Sequence, residues 1–297
     1  MKKLLITSTF LLLLAGGYGV WKAFISPGTS EIRISSNPWV GFTPFMYAQE
    51  KGWLEETPFK FIWLVDLSDN ARLFDKGFAQ GFTATQYELM HFKNKEELTT
   101  VFLIDQSYGA DAILSNRSLE QLRKTDEKIN VYLEMGSLNE DLFSAFTIEY
   151  GMDKNAFVFI DSSQKSMSSV RETLKPFIMI TYEPYVSRMK AAGLKVIAST
   201  KTLTMFHAVD ALFIKKSSLE EHRDDYVHLK NIFQRAQGQL RTNPREFYET
   251  IAGYLEGESY EDFLNSTHQI QWIGSDVPQH ITQTLNNQNI PTDGLIR

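Results

Sequence analysis

The chain contains no cysteine. This excludes disulfides, a thiolate nucleophile and any Cys-based metal site, and it fits an oxidising compartment. The 30 Lys and Arg residues are scattered, and with 36 Asp and Glu the net charge is −6. The clustered basic footprint of a nucleic-acid binder is therefore missing. So are a G-x-S-x-G turn, a phosphate loop and a dinucleotide fingerprint. The histidines (His91, His207, His222, His228, His268, His280) show no metal-ligand spacing. These absences point away from an enzyme and toward a protein with no metal and no cofactor.

Long hydrophobic runs are also scarce. The one that stands out, Leu4 to Trp21, follows Lys2 and Lys3 and ends among small residues, the layout of an export signal. Residues 1–25 read as a signal peptide or an uncleaved anchor. A run over 4–21 is just long enough to hold the chain on the inner membrane, with its bulk on the periplasmic or extracytoplasmic side. Residues 26–30, "SPGTS", read as a linker.

What remains is a globular composition, 43% hydrophobic and 22% charged, in a chain long enough for two lobes. Strand-like and helix-like stretches alternate. "EIRISS" has the period of a half-buried strand, and "PFMYAQEKGWL" has the period of a helix, with Thr43 as cap and Pro44 at the first helical position. "FKFIWLVD", "NARLFDKG", "FAQGFTATQYELMHF" and "LTTVFLIDQS" continue the alternation. A second series follows: "ADAILSN", "SLEQLRKT", "KINVYLEM", "LNEDLFSAFTIEYG", "AFVFIDS", "KSMSSVRETLKP", "FIMITYEP", "YVSRMKAAG" and "LKVIAST". "AVDALFIKKSSL" then returns to strand, and the remainder reads as helical. Alternation of this kind predicts an α/β protein of two lobes, each a mostly parallel sheet flanked by helices. Ligands of such sheets bind where strands hand over to helices, here the loops "PWVGFT", "GFTATQ", "DQSYGAD", "MGSLNE" and "TYEP".

Four stretches in this order resemble the ABC-transporter periplasmic substrate-binding proteins of the nitrate, sulfonate, taurine and thiamine-precursor group. They are "IRISSNPWVGFTPFMYAQEKGWLEE", "IDQSYGADAILSN", "INVYLEMGSLNEDLF" and "IMITYEPYVSRMKAAGLKVIAST". The sequence departs from that group at Tyr182, where tryptophan is usual, in the run before that strand, and in lacking a lipobox cysteine. The fungal thiamine-pyrimidine synthases share the fold but carry a cysteine-rich motif that this chain lacks. The resemblance implies a type 2 periplasmic-binding-protein fold that closes like a hinge on one small ligand, anionic or zwitterionic. The first lobe would comprise 31–108 and 205–297, and the second 109–204. The implied partners are an ABC permease and ATPase. The alternative is a membrane-tethered sensory module of the same fold, signalling to a membrane kinase or cyclase.

Each candidate site residue has two readings. Ser137 with Glu140 three residues on forms a capping box, and Gly136 would also let a ligand approach free amides at a helix start. Thr43 and Thr85 are caps or ligand contacts on the same logic. Trp39, Phe42 and Tyr182 either flank a ligand or belong to the core. Glu183 is a structural carboxylate or a partner for a ligand amine. Asp105 and Ser107 lie at the first implied crossover, and His207 and Asp210 at the second. Asp105, His207 and Asp210 are expected at the hinge, and Ser107 on the ligand.

Overall fold

The computed structural model describes residues 31–64, 67–170, 174–274 and 276–296. The expected signal segment, anchor and linker lie outside them. Two sheets organise the chain. The first contains β1 (Ile32–Ser36), β2 (Phe59–Trp63), β3 (Gly81–Thr85), β4 (Leu98–Ser107), β10 (Val209–Lys215) and β11 (Ile270–Trp272), in the order β11-β4-β10-β3-β1-β2. The second contains β5 (Asp111–Ser115), β6 (Ile129–Leu133), β7 (Phe157–Asp161), β8 (Phe177–Tyr182) and β9 (Lys195–Ser199), in the order β7-β6-β8-β5-β9.

Apolar pattern sets the place of each strand. In β6, Ile129, Val131 and Leu133 are buried while Asn130 and Tyr132 are half-buried, the alternation of a sheet face. All ten residues of β4 are buried, so it is covered on both faces. Pairing is parallel where βαβ crossovers build the sheet: β1 with β2 and β3, and β6 with β7 and β8. It is antiparallel where the chain passes between lobes: β10 pairs this way with β3 and β4, and β5 with β8 and β9. The sheets are therefore mixed. The crossing strands run against the rest because each arrives from the opposite lobe.

The helices are α1 (Thr43–Glu50), α2 (Leu67–Asp75), α3 (Gln86–Met90), α4 (Leu119–Lys124), α5 (Leu138–Glu149), α6 (Gln164–Met167), α7 (Tyr185–Ala191), α8 (Lys216–Thr242), α9 (Pro244–Ile251), α10 (Tyr260–Thr267) and α11 (Gln279–Asn287). Three details differ from the sequence reading. Thr43 is the first residue of α1 rather than its cap, because a 3-10 turn at Val40–Phe42 runs straight into the helix and the Thr43 hydroxyl donates back to the Val40 carbonyl at 2.6 Å. Pro44 is accordingly the second helical residue. Of the helix read over 165–176, the described residues form the single turn α6, and 171–173 lie outside them. β11, unread in the sequence, is three residues long and gains its pairing only from the edge of β4.

One body of buried apolar side chains runs from the first sheet (Ile34, Val101, Phe102) into the second (Ile113, Val131, Ile180) without a break. The lobes meet along it. Two segments connect them, 108–110 between β4 and β5, and 200–208 between β9 and β10.

Candidate functional site

The ends of β3, β10 and β4 set a row of polar groups on one face of the first sheet. Asp210 is paired with Thr85 on one side and Asp105 on the other. Side chains at directly paired positions share a face, so these three stand together. Trp39, in the loop after β1, covers the row: its indole N–H donates to Asp105 Oδ2 at 3.4 Å. Gly41 makes this approach possible, since a Cβ there would lie 1.8 Å from Asp105 Oδ2.

From the second lobe comes Tyr182, the last residue of β8. Its ring packs edge-on against Trp39, with centroids 5.9 Å apart at 78°, and against Tyr185 at the start of α7. Such pairs add about 0.5–1.5 kcal/mol beyond the area they bury. Beside them, between Pro38, Tyr182, Tyr185 and Leu255, a cavity of about 20 Å³ remains, room for about one water molecule. The lobes are closed on one another here.

The start of α5 is the second lobe's other contribution. Ser137 caps it, its hydroxyl accepting from the Asn139 N–H at 3.2 Å and donating to the Glu134 carbonyl at 2.9 Å. Gly136 holds φ +76°, a conformation that suits glycine, and its N–H donates to Glu140 Oε2 at 2.8 Å. Glu140 thus reaches one residue past the cap. The Leu138 N–H is taken from the other lobe: Glu88 Oε1 accepts it at 2.7 Å. Glu88 Oε2 accepts from the Thr85 N–H at 3.0 Å and the Thr85 hydroxyl at 2.5 Å, which completes the capping box of α3.

The connecting segments are pinned as well. The hydroxyls of Ser107 and Thr200 lie 2.8 Å apart, and Ser107 accepts from the Asp111 N–H at 3.1 Å. Gln86 bridges the second segment, donating to the His207 carbonyl at 2.5 Å and accepting from the Val209 N–H at 2.8 Å. The His207 ring lies 3.2 Å from Gln106 Nε2 and stands 5.7 Å from the His280 ring. Burial, together with His280, lowers its pKa.

Four buried acids meet at this junction: Glu88, Asp105, Asp111 and Asp210. Burial is the largest cause raising each carboxyl above its ordinary value, reaching about 7 for Asp111. They also act on one another. Asp210 feels Asp105, Asp111 and Glu88, and Asp111 feels Glu88. Like charges at close range cannot all ionise cheaply, and the Asp105–Asp210 pair is held toward its protonated form. Among the described residues no ion pair engages any of the four. The cluster has capacity for a positive group.

Of the expected site residues, Trp39, Thr85, Ser107, Ser137, Tyr182, Asp105 and Asp210 converge on the lobe junction. Phe42 is fully buried in the core, and Thr43 turns inward to the Val40 carbonyl. Glu183 lies next door but is committed to its own helix: its carboxylate accepts from the Ser187 N–H and hydroxyl, both at 3.0 Å. Its pKa is raised by burial. Glu88, Asp111, Gln86 and Thr200 were not singled out in the sequence. Thr85 and Glu88 do form a visible Thr-x-x-Glu box, but that pattern foretells only the cap.

No family model matches the chain, and no curated protein matches it. Solved structures do. The fold is the periplasmic binding protein fold. A ligand-binding component of an ABC-type import system from Staphylococcus aureus, with zinc bound, superposes with a TM-score of 0.68 at 14% identity, over 90% of this chain and 96% of that one. The periplasmic aliphatic sulphonate binding protein SsuA from Escherichia coli gives 0.68 at 12%, over 88% and 86%. A Candida albicans gene product described as exhibiting the generic periplasmic binding protein fold gives 0.62 at 14%, over 88% and 96%.

Proposed function

We propose that this chain is an extracytoplasmic solute-binding protein that captures one small polar molecule between its lobes and delivers it to an ABC importer. The observation that carries the reading is the convergence of polar groups from both lobes on one closed junction. Thr85, Glu88, Asp105 and Asp210 come from one side, and Asp111, Tyr182 and the start of α5 from the other. Hinge closure works as a binding mechanism only when the ligand touches both lobes more favourably in the closed form than in the open one. In this reading the Trp39–Tyr182 pair parts to flank the solute body. The buried acids receive its amine, which makes a zwitterion a better fit than a simple oxyanion.

Thermal unfolding against taurine, alkane- and arylsulfonates, nitrate, bicarbonate, thiamine-related pyrimidines and amino acids tests this. A true ligand at a hundred times its Kd stabilises the fold by about 2.7 kcal/mol. The expected result is a shift with an amine-bearing solute that is lost in Tyr182→Ala. A well-folded sample indifferent to the whole panel would sink the reading.

A further inference from the structure

Within the solute-binding reading one contact joins the lobes directly, with no ligand between them: the Glu88 carboxylate on the Leu138 N–H. The first N–H groups of α5 are assigned with a division of labour. Asn139 donates to the Ser137 hydroxyl and Glu140 to the Ser137 carbonyl, both within the second lobe. The Leu138 N–H points across the junction, and only there does the first lobe supply the acceptor. α5 is twelve residues long, so its start carries the partial positive charge and free donors that hold anions.

We propose that Glu88 is a resident competitor in the cleft. Its carboxylate fills the seat at the start of α5 that a solute's anionic group would take, and in doing so it latches the two lobes. The proposal rests on the solute-binding reading for the word solute, but the latch stands on its own contacts. Glu88 is 1% exposed and held by three donors, two from Thr85 and one from the other lobe. A second tie joins the same two helices, with His91 Nε2 3.3 Å from Asp141 Oδ2. The Trp39–Tyr182 pair closes the neighbouring stretch of the junction. The latch therefore does not hang on one hydrogen bond.

The arrangement dictates solute chemistry. A simple oxyanion must evict Glu88 and then sit near Asp111 and Asp210, two buried carboxyls whose ionisation Glu88 already opposes. A solute with an ammonium or amidinium group meets those acids favourably. It either leaves Glu88 in place or displaces it with its own carboxylate or sulfonate. Glu88 is thus the specificity-determining residue, acting by occupying the anion seat itself.

The test uses chemical rescue. Wild type, Glu88→Ala and Glu88→Gln are compared by small-angle scattering and thermal unfolding, in sodium acetate and in sodium chloride of equal ionic strength. Wild type without added solute is expected to scatter as the closed form and to respond to acetate no more than to chloride. Glu88→Ala is expected to show a larger radius of gyration and a lower Tm, and acetate, replacing the missing carboxylate, is expected to reverse both beyond the chloride control. Glu88→Gln fills the space but turns a donor toward Thr85, so it is expected to be looser than wild type and deaf to acetate. The proposal is overturned by an open wild type, by a Glu88→Ala protein as compact as wild type, or by acetate acting equally on both. Should Glu88→Ala not fold, a Glu88→Gln protein matching wild type in size and Tm overturns it instead. The solute panel on wild type is read separately. A bound solute with an open resting form removes the latch alone, and a closed, acetate-rescued latch with no solute removes the transport reading alone.

Discussion

Two helix starts carry the same pattern and meet different fates. Thr85 with Glu88 opens α3, and Ser137 with Glu140 opens α5. In the first, the acid returns to the cap residue, is sealed from solvent and holds the opposite lobe. In the second, the acid overshoots to Gly136 and stays half-exposed. Ser118 with Gln121 at α4 is the plain version, a capping box facing water on the second lobe's surface. Three similar words in the sequence thus yield a latch, an overshoot and a cap. What separates them is the element that packs on top, and that depends on how the lobes meet.

The comparison can be broken most forcefully at the junction itself. Trp39→Ala removes a 4% exposed indole that spans Asp105 and Tyr182, and it is expected to cost about 3–5 kcal/mol in urea unfolding, the range for a buried large-to-small change. A loss below 1 kcal/mol would mean the lobes do not rely on this contact.

The acid cluster predicts the next effect. Raised carboxyl pKa values favour the protonated folded form. Their stabilising contribution is full below the ordinary value of about 4 and is lost as pH rises through the raised values, about 7 for Asp111. Stability should therefore fall from pH 4 toward pH 8, and Asp210→Asn should flatten that fall. A profile rising over this window, or one unchanged by the substitution, would contradict the picture.

Thr85→Ala deletes both the cap of α3 and a donor to Glu88, and about 2 kcal/mol is expected, the upper end for a cap. Ser118→Ala, losing only a cap, should cost about 1 kcal/mol by the same measurement. Glu140→Ala should fall within about 0.5 kcal/mol, as surface changes do. If these three proved equal, burial would not be what distinguishes them.

The alternation of strands and helices was legible because each depends on local period and local caps. β6 displays its period 2, and α5 its cap and apolar run. β11 was not legible, since three residues, Ile270–Trp272, become a strand only against the edge of β4. Thr43 looked like a cap because a Thr-Pro pair usually is one, but the 3-10 turn ahead of it took that position. The loops that meet at the junction could be read from strand ends, and Trp39, Tyr182, Ser137 and Asp105 all stand there. The second job of Glu88 could not, because its partner lies fifty residues on in the other lobe. Glu183 shows the opposite case. Its partner Ser187 is one helical turn away, and a local bond satisfied a group expected to look outward.

The strand order of the first sheet has a consequence for synthesis. β3 and β4 are not neighbours; β10 lies between them, and it arrives only after the whole second sheet has been made. As the chain emerges from its N-terminus, the lobe that begins first waits with a gap in its middle, while the lobe inserted within it is the first to own all its strands. The gap closes only with the insertion of Val209–Lys215, a buried strand whose two edges pair with sequences made more than a hundred residues earlier, and β11 then adds to the outer edge of β4.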